Sequence, residues 1–142
     1  MMANCRASLS QRLILDDFPT PLHIRVLGPN GGTSNRYALS TMRGQVQARV
    51  KVEVLRQGIR PVPPPVRVTL RYVMPDKIHR DVDNFAAIGK PVIDGLVRSK
   101  VLAGDNAARL SQRVEFVYEK GRRRLEIILA PAASGAERTA EG

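Results

Sequence analysis

The sequence predicts a single α+β domain in which a small mixed sheet packs against two main helices. Three observations predict it. Val66 to Tyr72 alternates as VRVTLRY, apolar residues recur at steps of four between Arg36 and Ile59, and two late apolar runs cover Val114 to Tyr118 and Leu125 to Leu129. A chain of 142 residues has room for one core. With no Trp and few aromatics, that core must come mainly from Val, Ile, Leu and Ala.

The elements follow in order. Residues 1–20 are an N-terminal arm whose short apolar stretch, Leu13 to Leu15, is either an extra edge strand or a loose segment. The domain proper is expected over 21–130. It opens with LHIRVLG from Leu22, which begins by alternating and then meets Gly28 and Pro29, so it predicts a strand ending in a turn. After the loop GPNGGTSN, the positions Met42, Val46, Val50, Val54 and Leu55 predict an amphipathic helix ending at Gly58. The stretch PVPPP at 61–65 is a stiff connector. Val66 to Tyr72 is the clearest strand, with Arg67, Thr69 and Arg71 on the face opposite Val66, Val68, Leu70 and Tyr72.

Past Asp83, apolar residues at Phe85, Ile88, Val92, Ile93 and Leu96 predict a second helix, kinked or restarted around Gly89 and Pro91. The two late apolar runs flank EKGRRR and predict a hairpin with a basic turn. From 131 to 142, Ala, Ser, Gly and Glu dominate, the composition of a disordered tail. The element order fits an α+β or a mixed α/β arrangement.

The formal charge is +10, from 23 Lys and Arg against 13 acids, and Arg far outnumbers Lys. A guanidinium is a planar fork that matches phosphate oxygens, so this balance points to nucleic acid more than to a membrane, against the plain alternative of charge serving solubility. No apolar run approaches the roughly 20 residues of a membrane span, and MMANCRASLSQR lacks a signal-peptide core. Cys5 is alone, which excludes an internal disulfide and a cysteine metal site. A cytoplasmic protein is expected.

The acids are unevenly placed. Asp76, Asp81, Asp83, Asp94 and Asp105 fall in a span that holds no Glu, and carboxylates held together repel unless a cation lies between them. Asp81 and Asp83 project to one side if the chain there is extended, and Asp105 adds a third carboxylate from the loop after the helix. Their oxygens suit a hard cation such as Mg²⁺. Lys90 adds a point charge for a phosphorus oxygen or leaving group, and Asp94 lies one helical turn from it, close enough to hold it. Each has a structural alternative. Asp81 and Asp83 fit a turn and a helix N-cap, Asp105 fits a turn, and Lys90 with Asp94 fits a surface ion pair. His23 and His79 are the only histidines, and neither is proposed as a general base.

The string PDKIHRDVDNFAAIGKPVIDGLVRSKVLAGDN, closely over 75–106 and loosely over 22–130, resembles the signature region of the RusA-type Holliday junction resolvases. The resemblance implies metal binding by Asp81, Asp83 and Asp105, a catalytic Lys90, and supporting places for Asn84 and Asp94. It implies a Mg²⁺-dependent endodeoxyribonuclease, Mn²⁺ substituting, that hydrolyses phosphodiester bonds in four-way junctions and related branched DNA. It implies a homodimer acting in phage or prophage recombination and repair. The loop ending in Asn35 resembles the family's Pro- and Asn-containing loop. Two departures stand out: Gly104 replaces the first of two acids often found at the last site, and the spacing from Asn84 to Lys90 is about one helical turn longer. Arg67, Arg71, Lys120, Arg122, Arg123 and Arg124 are candidates for gripping phosphate, or else a solvated charge run. The competing function is a non-catalytic basic protein that binds branched DNA.

Overall fold

The computed structural model describes residues 10–27, 36–75, 82–104 and 110–132, without the side chains of residues 82–84. Its first element, β1 (Gln11–Asp16), buries Leu13 and Leu15 completely. The stretch left open between strand and loose arm is therefore an edge strand. Its register against the last strand runs from Gln11↔Leu129 to Asp16↔Arg124. The side chain of Gln57 occupies this edge, accepting from the Ile14 N–H and donating to the Ile14 carbonyl.

The expected strand at Leu22 is a helix, α1 (Pro21–Leu27). Thr20 explains the difference. Its Oγ1 accepts the His23 N–H at 3.3 Å, while His23 Nδ1 accepts the Thr20 N–H at 3.0 Å, a reciprocal cap with His in the place usually held by Glu or Gln. Pro21 supplies a preset φ at the first helical position. These local bonds outweigh the apparent alternation.

α2 (Arg36–Gln57) buries Met42, Val46, Val50 and Val54, the expected steps of four, while Leu55 stays exposed. It ends where expected. Gly58 takes φ +68°, and the Ile59 N–H reaches back to the Val54 carbonyl at 3.0 Å. The connector is pinned by the Val62 N–H on the Val101 carbonyl.

β2 (Val66–Met74) is central and largely buried on both faces. α3 (Val82–Arg98) runs through Gly89 and Pro91 as one helix, without a restart. Lys100 closes it at φ +67°, with the Lys100 N–H on the Val97 carbonyl and the Val101 N–H on the Leu96 carbonyl.

β3 (Leu110–Tyr118) and β4 (Arg124–Pro131) do not form the expected hairpin. The sheet order is β1-β4-β2-β3, with β3 parallel to β2 and β4 antiparallel to both of its neighbours. The β2-α3-β3 crossover lays β3 on one side of β2, and the chain then passes the end of β2, where the Glu119 N–H meets the Met74 carbonyl at 2.9 Å. Burial explains the choice. Leu125, Glu126, Ile127 and Leu129 are buried and need a strand on each side, whereas β3 is mostly exposed and suits an edge.

Over the described residues the result is an α+β domain with a four-stranded mixed sheet and three helices. One sheet face carries Leu13, Leu15, Val68, Leu70, Tyr72, Leu125, Ile127 and Leu129, which form one core with the buried stripes of α2 and α3. Tyr72 anchors α3, its hydroxyl donating to the Phe85 carbonyl at 2.7 Å and its ring meeting Phe85 edge-on. Burial pushes the Tyr72 phenol pKa up, so it remains a neutral donor. Among the described residues no helix is long and apolar enough to cross a membrane.

Candidate functional site

α3 carries the part of the expected site that the structure describes. Asp83 and Asn84 stand in its first turn, though their side chains are not described. Asp81, Asp105 and Asn35 lie outside the described residues, as does His79. Among the described residues no group of three His, Cys, Asp or Glu side chains is placed to hold a metal ion.

Lys90 and Asp94 are one turn apart on the exposed side of α3, and Lys90 Nζ lies 3.1 Å from Asp94 Oδ1. The pairing expected from their spacing is present. Lys90 is 53% exposed and Asp94 33%, so the ammonium is oriented by the carboxylate and still faces solvent. A pair this exposed adds little stability, generally under about 1 kcal/mol.

Beside this pair an open groove of about 600 Å³ runs between the two long helices, lined by Arg36, Arg43, Gly44 and Gln47 of α2 and by Asp94 and Arg98 of α3. Sequence reading missed it. The signal was the spacing, because Arg36, Arg43 and Gln47 fall at i, i+7 and i+11 on one helical stripe, and Lys90, Asp94 and Arg98 fall at steps of four.

The sheet-face arginines are differently placed. Arg71 Nε donates to Glu115 at 3.0 Å and its Nη1 reaches Glu126 at 3.4 Å. Arg124 donates to Glu126 at 2.8 Å and to Glu119 at 3.0 Å. The hydrogen bonds and charges of these glutamates push both guanidinium pKa values up, Glu115 acting first on Arg71 and Glu119 first on Arg124. Glu126 is 5% exposed, a buried carboxylate that would be destabilising without its two arginines. Arg123 donates to the Pro19 carbonyl at 2.9 Å. Thus Arg71, Arg123 and Arg124, expected as phosphate grips, are engaged in holding strands and turn together. Lys120 and Arg122 are exposed on the turn, and Arg67 is half-buried on β2.

His23 is half-buried beneath Phe18, ring centroids 4.6 Å apart. Burial first, and then the charge of Arg49, lower its pKa, with Asp17 opposing. Its cap on Thr20 makes it structural. Compared with protein-family models and with curated proteins, the chain matches none.

Proposed function

We propose that the chain is a metal-dependent endodeoxyribonuclease of the RusA type, acting as a homodimer on four-way junctions and related branched DNA in the cytoplasm of a phage or prophage host. The observation that carries the reading is the helix α3, with Asp83 in its first turn and Lys90 oriented by Asp94 at 3.1 Å on its solvent side. Asp81, Asp83 and Asp105 are the residues that would hold Mg²⁺, since three carboxylates offer the oxygen donors a hard cation takes. An ion held there would supply a water of lowered pKa and would offset charge on phosphorus oxygens. Lys90 places its ammonium where a phosphate can meet it, and Asp94 limits the rotamers that the ammonium samples.

The reading has a geometric requirement. Asp83 begins α3, whereas Asp105 follows Gly104 beyond its other end, and a 17-residue helix is about 25 Å long. The chain must therefore turn back along α3 after Arg98. The Val101 carbonyl accepts the Val62 N–H and Leu110 pairs with Val66 at the start of β2, so on both sides of Asp105 the described chain lies at the end of α3 away from Asp83. The same separation favours a second reading, a basic branched-DNA-binding protein in which the aspartates are structural.

Cleavage of a synthetic four-way junction decides between them. The nuclease should cut in Mg²⁺ and not in EDTA, and Asp83→Asn should abolish cutting while sparing binding. Cutting that persists in that variant removes the metal assignment. Binding without cutting across several divalent metals establishes the second reading.

A further inference from the structure

We infer that the groove between α2 and α3 is the track for a nucleic-acid phosphate backbone, with Gly44 at the point of closest approach. This rests on the DNA-acting reading above, and it moves the grip from the sheet to the helix layer.

Charge is the first argument. Arg36, Arg43 and Arg98 converge on the groove, and the one carboxylate among its described lining residues, Asp94, already faces Lys90 at 3.1 Å. Among the described residues no ion pair to a carboxylate is formed by any of these three arginines, in contrast to Arg71 and Arg124. A cleft lined by one sign of charge attracts a polyanion, and guanidinium forks suit its phosphates. The Gln47 side chain adds the kind of neutral donor that phosphate contacts commonly use.

Gly44 points to the same groove independently of charge. Gly44 lies in the middle of a 22-residue helix, where glycine weakens the helix relative to alanine. Packing does not require it, because a Cβ built there meets nothing within 4 Å. Gly95, across the groove on α3, is different: a Cβ there would lie 2.9 Å from the Val50 Cβ. A glycine on the wall of a basic groove, open to solvent, is explained by a ligand that comes close to the helix backbone.

Length is consistent with a strand. The α2 stripe from Arg36 to Gln47 covers 11 residue steps, about 16 Å of helix, against about 3.4 Å of rise per nucleotide. That accommodates about five nucleotides. Along α3 the order Arg98, Asp94, Lys90 leads toward the first turn that holds Asp83, so a strand in the groove is directed to the proposed cutting end.

Fluorescence anisotropy with a labelled four-way junction, in EDTA and across a salt series, tests the track without depending on cleavage. For Arg43→Ala/Arg98→Ala, affinity should fall about tenfold or more and the slope of log K against log salt should flatten by about 2. Arg71→Ala/Arg124→Ala/Glu126→Gln, which leaves no buried carboxylate unpaired, should change the slope by less than about 1. Gly44→Leu should weaken binding with a Tm no lower than that of the unaltered chain. An unchanged affinity and slope for Arg43→Ala/Arg98→Ala overturns the inference, whether or not the junction is cut in Mg²⁺. Displacement of the DNA by polyglutamate as readily as by unlabelled DNA also overturns it, by reducing the groove to a general anion surface. Failure to cut in Mg²⁺ with the expected slope change rejects the nuclease reading alone.

Discussion

The contrast between Gly44 and Gly95 can be worked into numbers. Both glycines are interior to long helices, so Gly→Ala raises helix propensity by about 1 kcal/mol at either position. At Gly44 nothing opposes this, since the new methyl has open space. Gly44→Ala should therefore stabilise by about 1 kcal/mol, a rise of about 3 °C in Tm for a domain of this size. At Gly95 the methyl would sit 2.9 Å from the Val50 Cβ and 3.2 Å from the Gln47 carbonyl oxygen. Neither atom can rotate away, because one is the first atom of a fully buried side chain and the other is helix backbone. Carbon atoms are comfortable at about 3.5–4.0 Å, so α2 and α3 must part by up to about 1 Å. Overpacking of that kind costs about 1–3 kcal/mol, and rigid contacts place it toward the upper end. Net of propensity, Gly95→Ala should destabilise by about 1–2 kcal/mol, lowering Tm by about 3–6 °C. Thermal melts followed by circular dichroism read both variants. Combining Gly95→Ala with Val50→Ala should cost less than the sum of the single changes, by about 1 kcal/mol, because trimming Val50 removes part of the clash. Shifts of the same sign for Gly44→Ala and Gly95→Ala would refute the helix packing on which the groove depends.

Three further outcomes follow from single contacts. Tyr72→Phe removes a buried hydroxyl that donates to the Phe85 carbonyl at 2.7 Å, and urea denaturation should show a loss of about 1 kcal/mol. Lys100→Gly relieves a side chain held at φ +67° at the end of α3, and the same measurement should show a gain of about 0.5–1 kcal/mol. His23 has a folded pKa below its ordinary value of 6.5, chiefly through burial. The unfolded chain therefore takes up its proton first, so the His23 contribution is complete above pH 6.5 and is lost as the pH falls toward the lowered folded value. Tm should decline over that interval, and His23→Gln, which keeps a side chain suited to capping Thr20, should flatten the decline; an unchanged slope would assign it to other groups.

How far the chain could be read depended on how local each cause is. The stripe Met42, Val46, Val50 and Val54 and the alternation of Val66 to Tyr72 are direct images of helical and strand periods, and both elements lie where expected. α1 was misread because Leu22, Ile24 and Val26 alternate by coincidence. The stronger local signal was Thr20-Pro21 followed by His23, with His in a capping role that Glu or Gln usually fills. The hairpin was misread for a different reason. Strand pairing is a long-range choice, and nothing within EKGRRR announces that β2 will lie between β3 and β4. Of the candidate site, the Lys90 and Asp94 pair was legible from its spacing. The groove was not, because it exists only once two separate helical faces are brought side by side by Val50 and Gly95.

This division also determines where the positive charge is expressed. In composition the arginines are equivalent, but the fold separates them into two sets. Glu115, Glu119 and Glu126 lie on or beside β3 and β4, and they hold Arg71 and Arg124 in ion pairs across the sheet. Recruiting those arginines to a phosphate means leaving Glu126, almost fully buried, without compensation, and that penalty opposes binding. α2 has no such constraint, carrying Arg36, Arg43, Arg49, Lys51 and Arg56 against the single acid Glu53, whose own bonds are to Arg56 and Gln57. Arg49 is spent on the Asp16 carbonyl at the end of β1, which leaves the Arg36 and Arg43 stripe as the cationic face of this helix toward the groove. A polyanion approaching the domain therefore gains most from the helix layer, where counterions can be released without breaking internal pairs. The salt dependence of binding is the property most sensitive to this partition, because it counts only the cations that exchange ions with solvent.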